Sequence, residues 1–493
     1  MDGELSNPLR IWEDIEDCEI IPGDQIGKTL SRTSRDVPCL LKPRSIEGLR
    51  QIVATATKYQ CPIYPISRGK NWGYGAHLPV QNGSTIVSLE RLRKIGPCIP
   101  ESNKIYLEPG VSQEDLYTYL KNNYPQFTFN VTAGGSDTSI LGNCLERGIG
   151  YCRSRANELH GLQVLTIDGE FIQQNPDLWH PSHPEGIGAG WEGLFFQSNF
   201  GIITGGWFTL IPKQDSGIFI SLLNADLDTL IEDFRTLYRH QVLDEITHIG
   251  DPGRKEYVLK GLIAKKFPNL STQQIAKVIQ QHGSDAFQGV TAVHGRTTIN
   301  KARVREIKKL ISPSTDLKAF TPRTVEQIAS ISRWIPFPYF RNLGIFLESV
   351  AELLKLSEGE PTNIGHLSIK MKGDDPNLAE ESAVYLNATL PNDRNATQEL
   401  RKLLDLGGYK YSITYIVDTR QSISAIITIH FEDEVAPPVQ EALGHLTKAL
   451  IEKGFPPYRS GIDQMEHLEM PLINKKLKHL FDPENLIAPG RYL

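Results

Sequence analysis

The stretch CPIYPISRGKNWGYG, residues 61–75, decides the fold class of this 493-residue chain. Its first half predicts a short buried strand, and its second half places glycines at 69, 73 and 75 directly after that strand. Closely spaced glycines let successive backbone N–H groups point the same way, which is the geometry of an anion-binding nest. Arg68 and Lys70 add positive charge. The stretch therefore predicts an anion-binding turn, with a purely structural turn as the alternative.

A second glycine-rich loop, TAGGSDTSILGNCLERGIGY, spans residues 132–151. It carries small residues where a backbone must approach a ligand closely. A glycine-rich corner is again the alternative, but two such loops in one domain favour a cofactor that contains a diphosphate.

Short strands and helices surround these loops. The run CLLKP (39–43) predicts a strand, and Ser45 predicts the N-cap of a helix whose apolar residues recur at helical spacing. A short amphipathic helix is expected at 113–122, between the strand-like runs KIYLEPG and LQVLTIDGE. Mixed elements of this kind indicate an α+β domain.

The sequence pattern divides the chain into four parts. Residues 1–36 form an N-terminal segment, and 37–212 form the α+β domain with the two glycine-rich loops. Residues 213–450 have longer helical patterns alternating with strand-like runs, which predicts a second α+β domain. Residues 451–493 are too few to fold alone and should pack back on an earlier domain.

Composition narrows the class of function. Lys plus Arg total 52 against 58 Asp plus Glu, a formal net charge of −6, so a nucleic-acid partner is not expected. The six cysteines show no zinc spacing and no C-x-x-C pair, which favours reduced thiols in a cytoplasmic protein, and no metal site is expected. No signal-peptide h-region and no run of about 18 apolar residues occurs, so no membrane partner is expected. We expect a small-molecule enzyme, with a homodimer as an open possibility.

Five motifs in order carry a resemblance to a known family. They are PISRGKNWGYG (65–75), EPGVS (108–112), LGNCLERGIGY (141–151), FQSNFGI (196–202) and DPENLIAPG (482–490). In this order and spacing the chain resembles the vanillyl-alcohol oxidase / p-cresol methylhydroxylase family of FAD-dependent oxidoreductases. The resemblance covers most of 37–212 and roughly the last 40 residues, and it is loose in between.

The resemblance implies an α+β fold in which a two-subdomain FAD-binding domain is covered by a substrate (cap) domain. It also implies FAD as the cofactor, with the first loop around the pyrophosphate. The residues that it places around the flavin and ADP moieties are Ile66, Ser67, Arg68, Gly69, Lys70, Asn71, Gly73, Tyr74, Gly75, Pro109, Gly110, Val111, Gly134, Gly135, Ser136, Ser139, Gly142, Asn143, Gly148, Gly150, Tyr151, Gly201 and Ile202.

The same resemblance implies the chemistry. In phenol-oxidising members, a tyrosine of the first loop and a Tyr-Arg pair near the C-terminus hold the phenolate oxygen, and the matching residues here are Tyr74, Tyr458 and Arg459. Hydride would then pass from the para carbon of the phenol or aromatic alcohol to flavin N5. Two alternatives stay open: a hydroxy acid, sugar alcohol or natural-product substrate whose carboxylate binds Arg459, and a flavin-binding module that has lost catalysis.

The sequence departs from the family at the flavin-linking positions. Lys70 stands where some members have a linking histidine, and no cysteine occurs near Val131. A third linking position falls near Ala425, with Tyr415 and His430 close enough to be alternatives. The FAD is therefore expected to be bound non-covalently.

A second departure concerns the residue beside flavin N5. The family's aspartate, a few residues beyond the motif that ends at Tyr151, has no clear counterpart. Glu158 and His160 are the candidates to replace it as acid or base. A solvated glutamate and a histidine satisfied within the core are the alternative interpretations.

Overall fold

The structure is a computed structural model. It describes residues 9–71, 73–75, 77–172, 190–369, 382–391, 393–408, 410–417, 422–432 and 436–493. Within these ranges no helix is long and apolar enough to cross a membrane, and no group of His, Cys, Asp and Glu could hold a metal ion.

The first part of the first domain is built on a four-stranded sheet. Its strands, in spatial order, are β1 (Cys18–Pro22), β2 (Cys39–Pro43), β4 (Thr85–Ser88) and β3 (Ile63–Ile66). Strands β2, β4 and β3 run parallel, and β1 is antiparallel to β2.

The helix predicted after Ser45 is α1 (Ile46–Tyr59). The Ser45 side chain accepts a hydrogen bond from the backbone N–H of Gly48, as an N-cap should. The apolar residues that predicted the helix are fully buried against the sheet, namely Leu49, Ile52, Val53 and Ala56.

A five-stranded antiparallel sheet follows. Its spatial order is β5 (Ile95–Ile99), β6 (Lys104–Leu107), β10 (Ile202–Thr209), β8 (Leu159–Leu165) and β9 (Phe171–Ile172). A small ribbon joins β7 (Phe127–Thr128) to β11 (Ile211–Pro212). The helices of this region are α2 (Gln113–Asn123), which matches the predicted helix, and α3 (Ile140–Leu145).

The second domain contains a seven-stranded antiparallel sheet. Its spatial order is β15 (Asp316–Phe320), β12 (Ser216–Asn224), β14 (Phe287–Gly295), β13 (Thr247–Gly250), β17 (Lys410–Val417), β18 (Ser422–Phe431) and β16 (Ser382–Pro391). Its helices are α4 (Leu227–Arg239), α5 (Pro252–Lys266), α6 (Thr272–His282), α7 (Thr297–Leu310), α8 (Pro322–Trp334), α9 (Pro338–Ser357), α10 (Arg394–Leu406) and α11 (Ala436–Glu452).

The two faces of this sheet differ. Side chains of one face join a hydrophobic core with Leu230 of α4, Leu400 of α10 and Leu443 of α11. The opposite face carries residues that alternate with them along the strands, because successive side chains of a strand point to opposite faces. This second face covers the first domain and forms one wall of a cavity.

The C-terminal segment returns to the first domain. Ile63 of β3 forms a parallel bridge with Ile487, and the N–H of Ala488 donates to the carbonyl of Ile63 at 2.7 Å. Helix α12 (Leu472–Phe481) precedes this contact, and its Lys478 lies buried beside Asp482 with 2.7 Å between Nζ and Oδ2. The segment that carries Tyr458 and Arg459 is therefore attached at its far end to the first domain.

Candidate active site

A cavity lies between the two glycine-rich loops, the C-terminal segment and the seven-stranded sheet of the second domain, which we call the cap sheet. The sequence-predicted residues on its wall are Ile66, Ser67, Arg68, Gly69, Lys70, Asn71, Tyr74, Gly75, Pro109, Gly134, Ser139, Gly142, Asn143, Tyr151, Gly201, Ile202, Tyr458 and Arg459. Residues from both ends of the chain thus meet at one site.

The first loop has the backbone conformation that its glycines predict. Gly69, Gly73 and Gly75 have φ of 64°, 73° and 81°, a region that side-chain-bearing residues avoid. A Cβ on Gly75 would also overlap the side chain of Ile462. The loop therefore needs glycine both for its conformation and for the close approach of the C-terminal segment.

Arg68 joins the two loops. Its Nε donates to the carbonyl of Asp137 and its Nη1 to the carbonyl of Gly110, each at 3.0 Å, and its Nη2 bonds to the Asp137 carboxylate. Lys70 Nζ lies 3.5 Å from the other oxygen of that carboxylate. Asp137 thus balances part of the positive charge that the sequence placed here, and Arg68 sets the spacing of the loops.

The second loop fits a diphosphate-containing group. Ser139 caps α3 through Gly142 N–H, and a Cβ on Gly142 would overlap Ser67 Oγ of the first loop. A larger residue at 142 would force the Ser67 side chain to turn, so glycine at 142 favours the close approach of the two loops. The Asn143 Oδ1 atom on the cavity wall is buried and has no hydrogen-bond partner within the described part of the chain. A bound group with a donor would satisfy it.

Seven residues that the resemblance placed around the cofactor lie behind the cavity wall. Their contacts within the protein explain their size: a Cβ on Gly73 would overlap the Tyr385 ring, and one on Gly110 would lie 2.5 Å from the Leu92 carbonyl oxygen. Ser136 bonds to Asn363 Oδ1 through its N–H and its hydroxyl. The others are Val111, which is fully buried, and Gly135, Gly148 and Gly150, which pack against His366, Asn143 and Asn130.

The three predicted substrate-binding side chains come together. The Tyr74 hydroxyl receives a hydrogen bond from Asn387 Nδ2 at 3.0 Å, and the same amide group donates to the Arg459 carbonyl at 2.9 Å. The Arg459 guanidinium lies 4.5 Å from the Tyr74 ring centroid. Tyr458 is a further hydrogen-bond partner of Tyr74. Asn387, which lies on β16 in the loosely matched middle of the chain, was not predicted.

The charged side chains around Tyr74, namely Arg459, Arg491 and Glu146, carry a net positive charge. Glu146 bonds to Arg491 and to the Tyr492 hydroxyl, and its Oε2 lies 3.9 Å from Arg459 Nε. Burial opposes ionisation of Glu146, but Arg491 and Arg459 outweigh it and lower the pKa of the carboxyl. One carboxylate thus faces two guanidinium groups. Arg459 Nε is buried without a hydrogen-bond partner in the described residues, so it has capacity to bind an anion.

Tyr74 is a neutral donor. Burial raises the pKa of its hydroxyl, and Arg459 offsets this effect only partly. A neutral phenol beside a guanidinium can donate a hydrogen bond to an oxyanion.

None of the candidate flavin-linking positions on the cap sheet lines the cavity. Ala425 and Tyr415 face each other across β18 and β17 and belong to the hydrophobic core on the opposite face of the sheet. The Tyr415 hydroxyl receives a hydrogen bond from Arg401 at 3.2 Å. His430 stacks on Tyr257 with 5.0 Å between centroids, also away from the cavity.

The structure also removes both candidates to replace the family's aspartate. Glu158 is buried, with Arg153 Nε at 2.7 Å and Asn130 Nδ2 at 3.1 Å, and it serves as an internal ion-pair partner. A ring nitrogen of His160 lies 3.0 Å from the carbonyl of Asn157. Neither residue is on the cavity wall, because the chain after Tyr151 turns back into β8 of the five-stranded sheet.

Three polar cap residues on the wall were missed. The imidazole ring of His248 stacks on the ring of Tyr151, with 4.7 Å between the ring centroids and 23° between the ring planes. Burial and the nearby Arg254 lower the pKa of His248 to about 4, so its ring is neutral near pH 7. Arg254 and Thr414 line the same cavity. Only a correct assignment of strand register in the middle region could have found them.

Comparison with known proteins agrees with this arrangement. Residues 37–174 match the model of a family described as an FAD binding domain. A 1'-carboxy-chondrochloren decarboxylase from Chondromyces crocatus is 25% identical over 93% of this chain and 91% of its own length. The flavoprotein subunit of 4-cresol dehydrogenase (hydroxylating) from Pseudomonas putida is 27% identical over 40% of each chain. The solved structure of p-cresol methylhydroxylase with substrate bound superposes with a TM-score of 0.80 at 18% identity, covering 100% of this chain and 97% of the other.

The fold and the matched domain define a flavoprotein, an FAD-dependent oxidoreductase. Its fold resembles that of p-cresol methylhydroxylase, as the motifs predicted. Bound FAD supplies a hydride acceptor, and the two glycine-rich loops are the part of this chain that would hold it.

Proposed function

We propose that this oxidoreductase acts on a small para-substituted phenol or a related aromatic alcohol, from whose para side chain it removes a hydride. The observation that carries the proposal is the cluster of Tyr74, Tyr458 and Arg459 on the cavity wall. The cluster contains two hydroxyl groups and a guanidinium, which are groups suited to binding a phenolate oxygen. Such a set favours a phenolate, whose electron-rich ring promotes release of hydride from the side-chain carbon attached at the para position.

The excess positive charge supports binding of the phenol as its anion. Two guanidinium groups share the single carboxylate of Glu146. A phenolate oxygen at this place would be stabilised by Arg459 in an environment of low dielectric constant, where such interactions are strengthened. The substrate's own proton would then be lost before or during binding.

We further propose that the FAD is held without a covalent bond. The supporting geometry is the position of Tyr415, Ala425 and His430 away from the cavity, together with lysine at position 70. Acid precipitation should release the yellow colour into the supernatant, and colour retained in the pellet would contradict the proposal.

A second candidate function is oxidation of a phenol that carries a carboxylate and loses it as carbon dioxide. A relative aligned over 93% of this chain is named a decarboxylase of a carboxylated compound. The specific observation that favours this candidate is a guanidinium, Arg254, on the cap side of the cavity without an ion-pair partner in the described residues.

The experiment that tests the proposed function is anaerobic reduction of the bound flavin. We expect 4-alkylphenols and 4-hydroxybenzyl alcohols to bleach the flavin absorbance, and simple hydroxy acids without a phenol to leave it unchanged. Bleaching by hydroxy acids alone would contradict the phenol assignment. If dithionite reduces the flavin but no organic compound does, the protein is a binding module that has lost catalysis.

A further inference from the structure

Three polar groups of the cap line the cavity without a partner in the described part of the chain. Thr414 is 7% exposed, and its hydroxyl oxygen is buried and makes no hydrogen bond. The Nε2 atom of His248 is likewise buried and unbonded. The guanidinium of Arg254 has no carboxylate within ion-pair distance. Unsatisfied polar groups that share one wall point to a polar group of a ligand between them.

The charge of Arg254 is not cancelled by its neighbours. Asp251 is an acidic side chain close to Arg254, and its carboxylate accepts hydrogen bonds from the backbone N–H groups of Arg254 and Ile413. Burial raises the pKa of the Asp251 carboxyl, and the attraction of Arg254 offsets this effect only in part. His248 is a neutral ring. An anion is the ligand group that this wall would bind best.

Strand register places this wall relative to the phenol-binding cluster. Asn387 of β16 is opposite Ile426, Ile426 is opposite Thr414, and Thr414 is opposite Gly250 at the end of β13. Adjacent strands are about 4.8 Å apart, so Thr414 lies about 10 Å from Asn387 across the sheet. Asn387 bonds to Tyr74, which marks the phenol end.

We propose that Arg254 and Thr414 form a carboxylate subsite, and that the substrate is a phenol whose para side chain ends in a carboxylate. The inference rests on the proposed function, because it uses Tyr74 and Arg459 for the phenol end. A phenolic acid with a side chain of two or three carbons spans the separation between the two ends. Arg254 supplies paired N–H donors, and the Thr414 hydroxyl supplies one more. A neutral alkylphenol of the same length fills the same space and leaves the three polar groups unpaired.

The test compares two ligands of matched shape on the FAD-loaded protein. The dissociation constants of 3-(4-hydroxyphenyl)propanoate and 4-propylphenol are measured by anaerobic calorimetry on protein whose flavin has first been reduced with dithionite, so that neither ligand is oxidised during the titration. We expect the acid to bind roughly ten- to hundredfold more tightly than the neutral phenol. In Arg254→Gln this preference should disappear, while the dissociation constant of 4-propylphenol changes less than about twofold.

Further variants separate the charge from a structural effect. Thr414→Val keeps the shape of the side chain and removes its hydroxyl. It should weaken binding of the acid about three- to tenfold and leave the dissociation constant of 4-propylphenol unchanged. Arg305→Gln is the matched control, since Arg305 lies exposed on α7 away from the cavity, and it should alter neither constant. Flavin content and melting temperature of each variant report on folding.

The outcomes are distinguishable. Equal affinity of the wild-type protein for both ligands overturns the carboxylate subsite and leaves the phenol site standing, even if Arg254→Gln fails to fold. If a folded Arg254→Gln variant binds the acid and 4-propylphenol more weakly by the same factor, the carboxylate subsite is also overturned. If neither phenol binds a protein that holds FAD, the proposed function itself fails.

Discussion

Arg459 lies over the aromatic ring of Tyr74, with 4.5 Å between the guanidinium carbon and the ring centroid. The two residues come from opposite ends of the chain, and Asn387 of the cap joins them by donating one hydrogen bond to each. A single amide side chain thus connects the Tyr74 hydroxyl to the backbone of Arg459. The geometry of the proposed phenol site therefore depends on all three parts of the molecule.

Tyr74→Phe should weaken phenol binding. The substitution removes one donor to a charged oxygen, an interaction that contributes about 1.5 kcal/mol, so the dissociation constant of a 4-alkylphenol should rise roughly tenfold. Calorimetry on protein whose flavin has first been reduced with dithionite measures the constant. Tyr106→Phe is a matched control, since the Tyr106 hydroxyl bonds to Gln163 in the five-stranded sheet at 2.7 Å. An unchanged constant in Tyr74→Phe would contradict the assigned role.

Arg459→Gln should act on the substrate and not on the cofactor. The variant leaves Glu146 with Arg491 and removes the charge that would stabilise a phenolate. We expect the pH dependence of phenol binding to shift upward, because the bound phenol then ionises less readily. The ratio of flavin to protein absorbance should be unchanged. A loss of flavin would reassign Arg459 to the cofactor.

Gly142→Ala should reduce FAD retention. Its Cβ would overlap Ser67 Oγ and lie 3.2 Å from Ser67 Cβ, so the Ser67 side chain must turn and the first loop must shift slightly on the cavity wall. We expect the purified variant to hold less than about half of the wild-type flavin, which its absorbance measures. Gly193→Ala adds a Cβ in open space and should retain all of the flavin. Equal flavin content in the two variants would show that the loop spacing tolerates the methyl group.

His248 should make stability depend on pH. Its pKa is about 4 in the folded protein and near the ordinary histidine value of 6.5 in the unfolded chain, so the unfolded chain binds more protons between these values. The stability that the neutral ring contributes is complete above pH 6.5 and is lost as the pH falls through 4, a change of about 3 kcal/mol. Urea unfolding of wild type and His248→Gln measures the difference between their free energies of unfolding. This difference should become smaller as the pH falls. A constant difference would contradict the assigned titration.

The buried pair of Lys478 and Asp482 should hold the C-terminal segment in place. Asp482 also accepts hydrogen bonds from the N–H groups of Leu486 and Ile487, so Asp482→Asn leaves a buried ammonium with a weaker partner. Breaking a pair of this kind costs about 3–5 kcal/mol. We expect a lower melting temperature and less bound flavin. Glu484→Gln, at an exposed position two residues on, should melt as the wild type does.

Sequence reasoning predicted those parts of the site that local rules determine. The Ser45 cap, the helix after it and the glycines with positive φ follow from backbone chemistry within a few residues. The pairing of Tyr74 with Arg459 followed from motif resemblance. Asn387 and Thr414 could not be predicted, because the strand pattern of the middle region does not indicate which of its two faces meets the first domain. Arg254 lies on helix α5, and its place on the cavity wall depends on how that helix packs beside the sheet.

The bridge between Ile63 and Ile487 has a consequence for biogenesis. Strand β3 gains a partner from the far end of the polypeptide, and Arg491 bonds to Glu146 beside the substrate cluster. A ribosome must therefore translate past Arg491 before these contacts can form. Folding that depends on such distant pairings is slow. The nascent chain is therefore expected to bind its cofactor late and to have no activity until then.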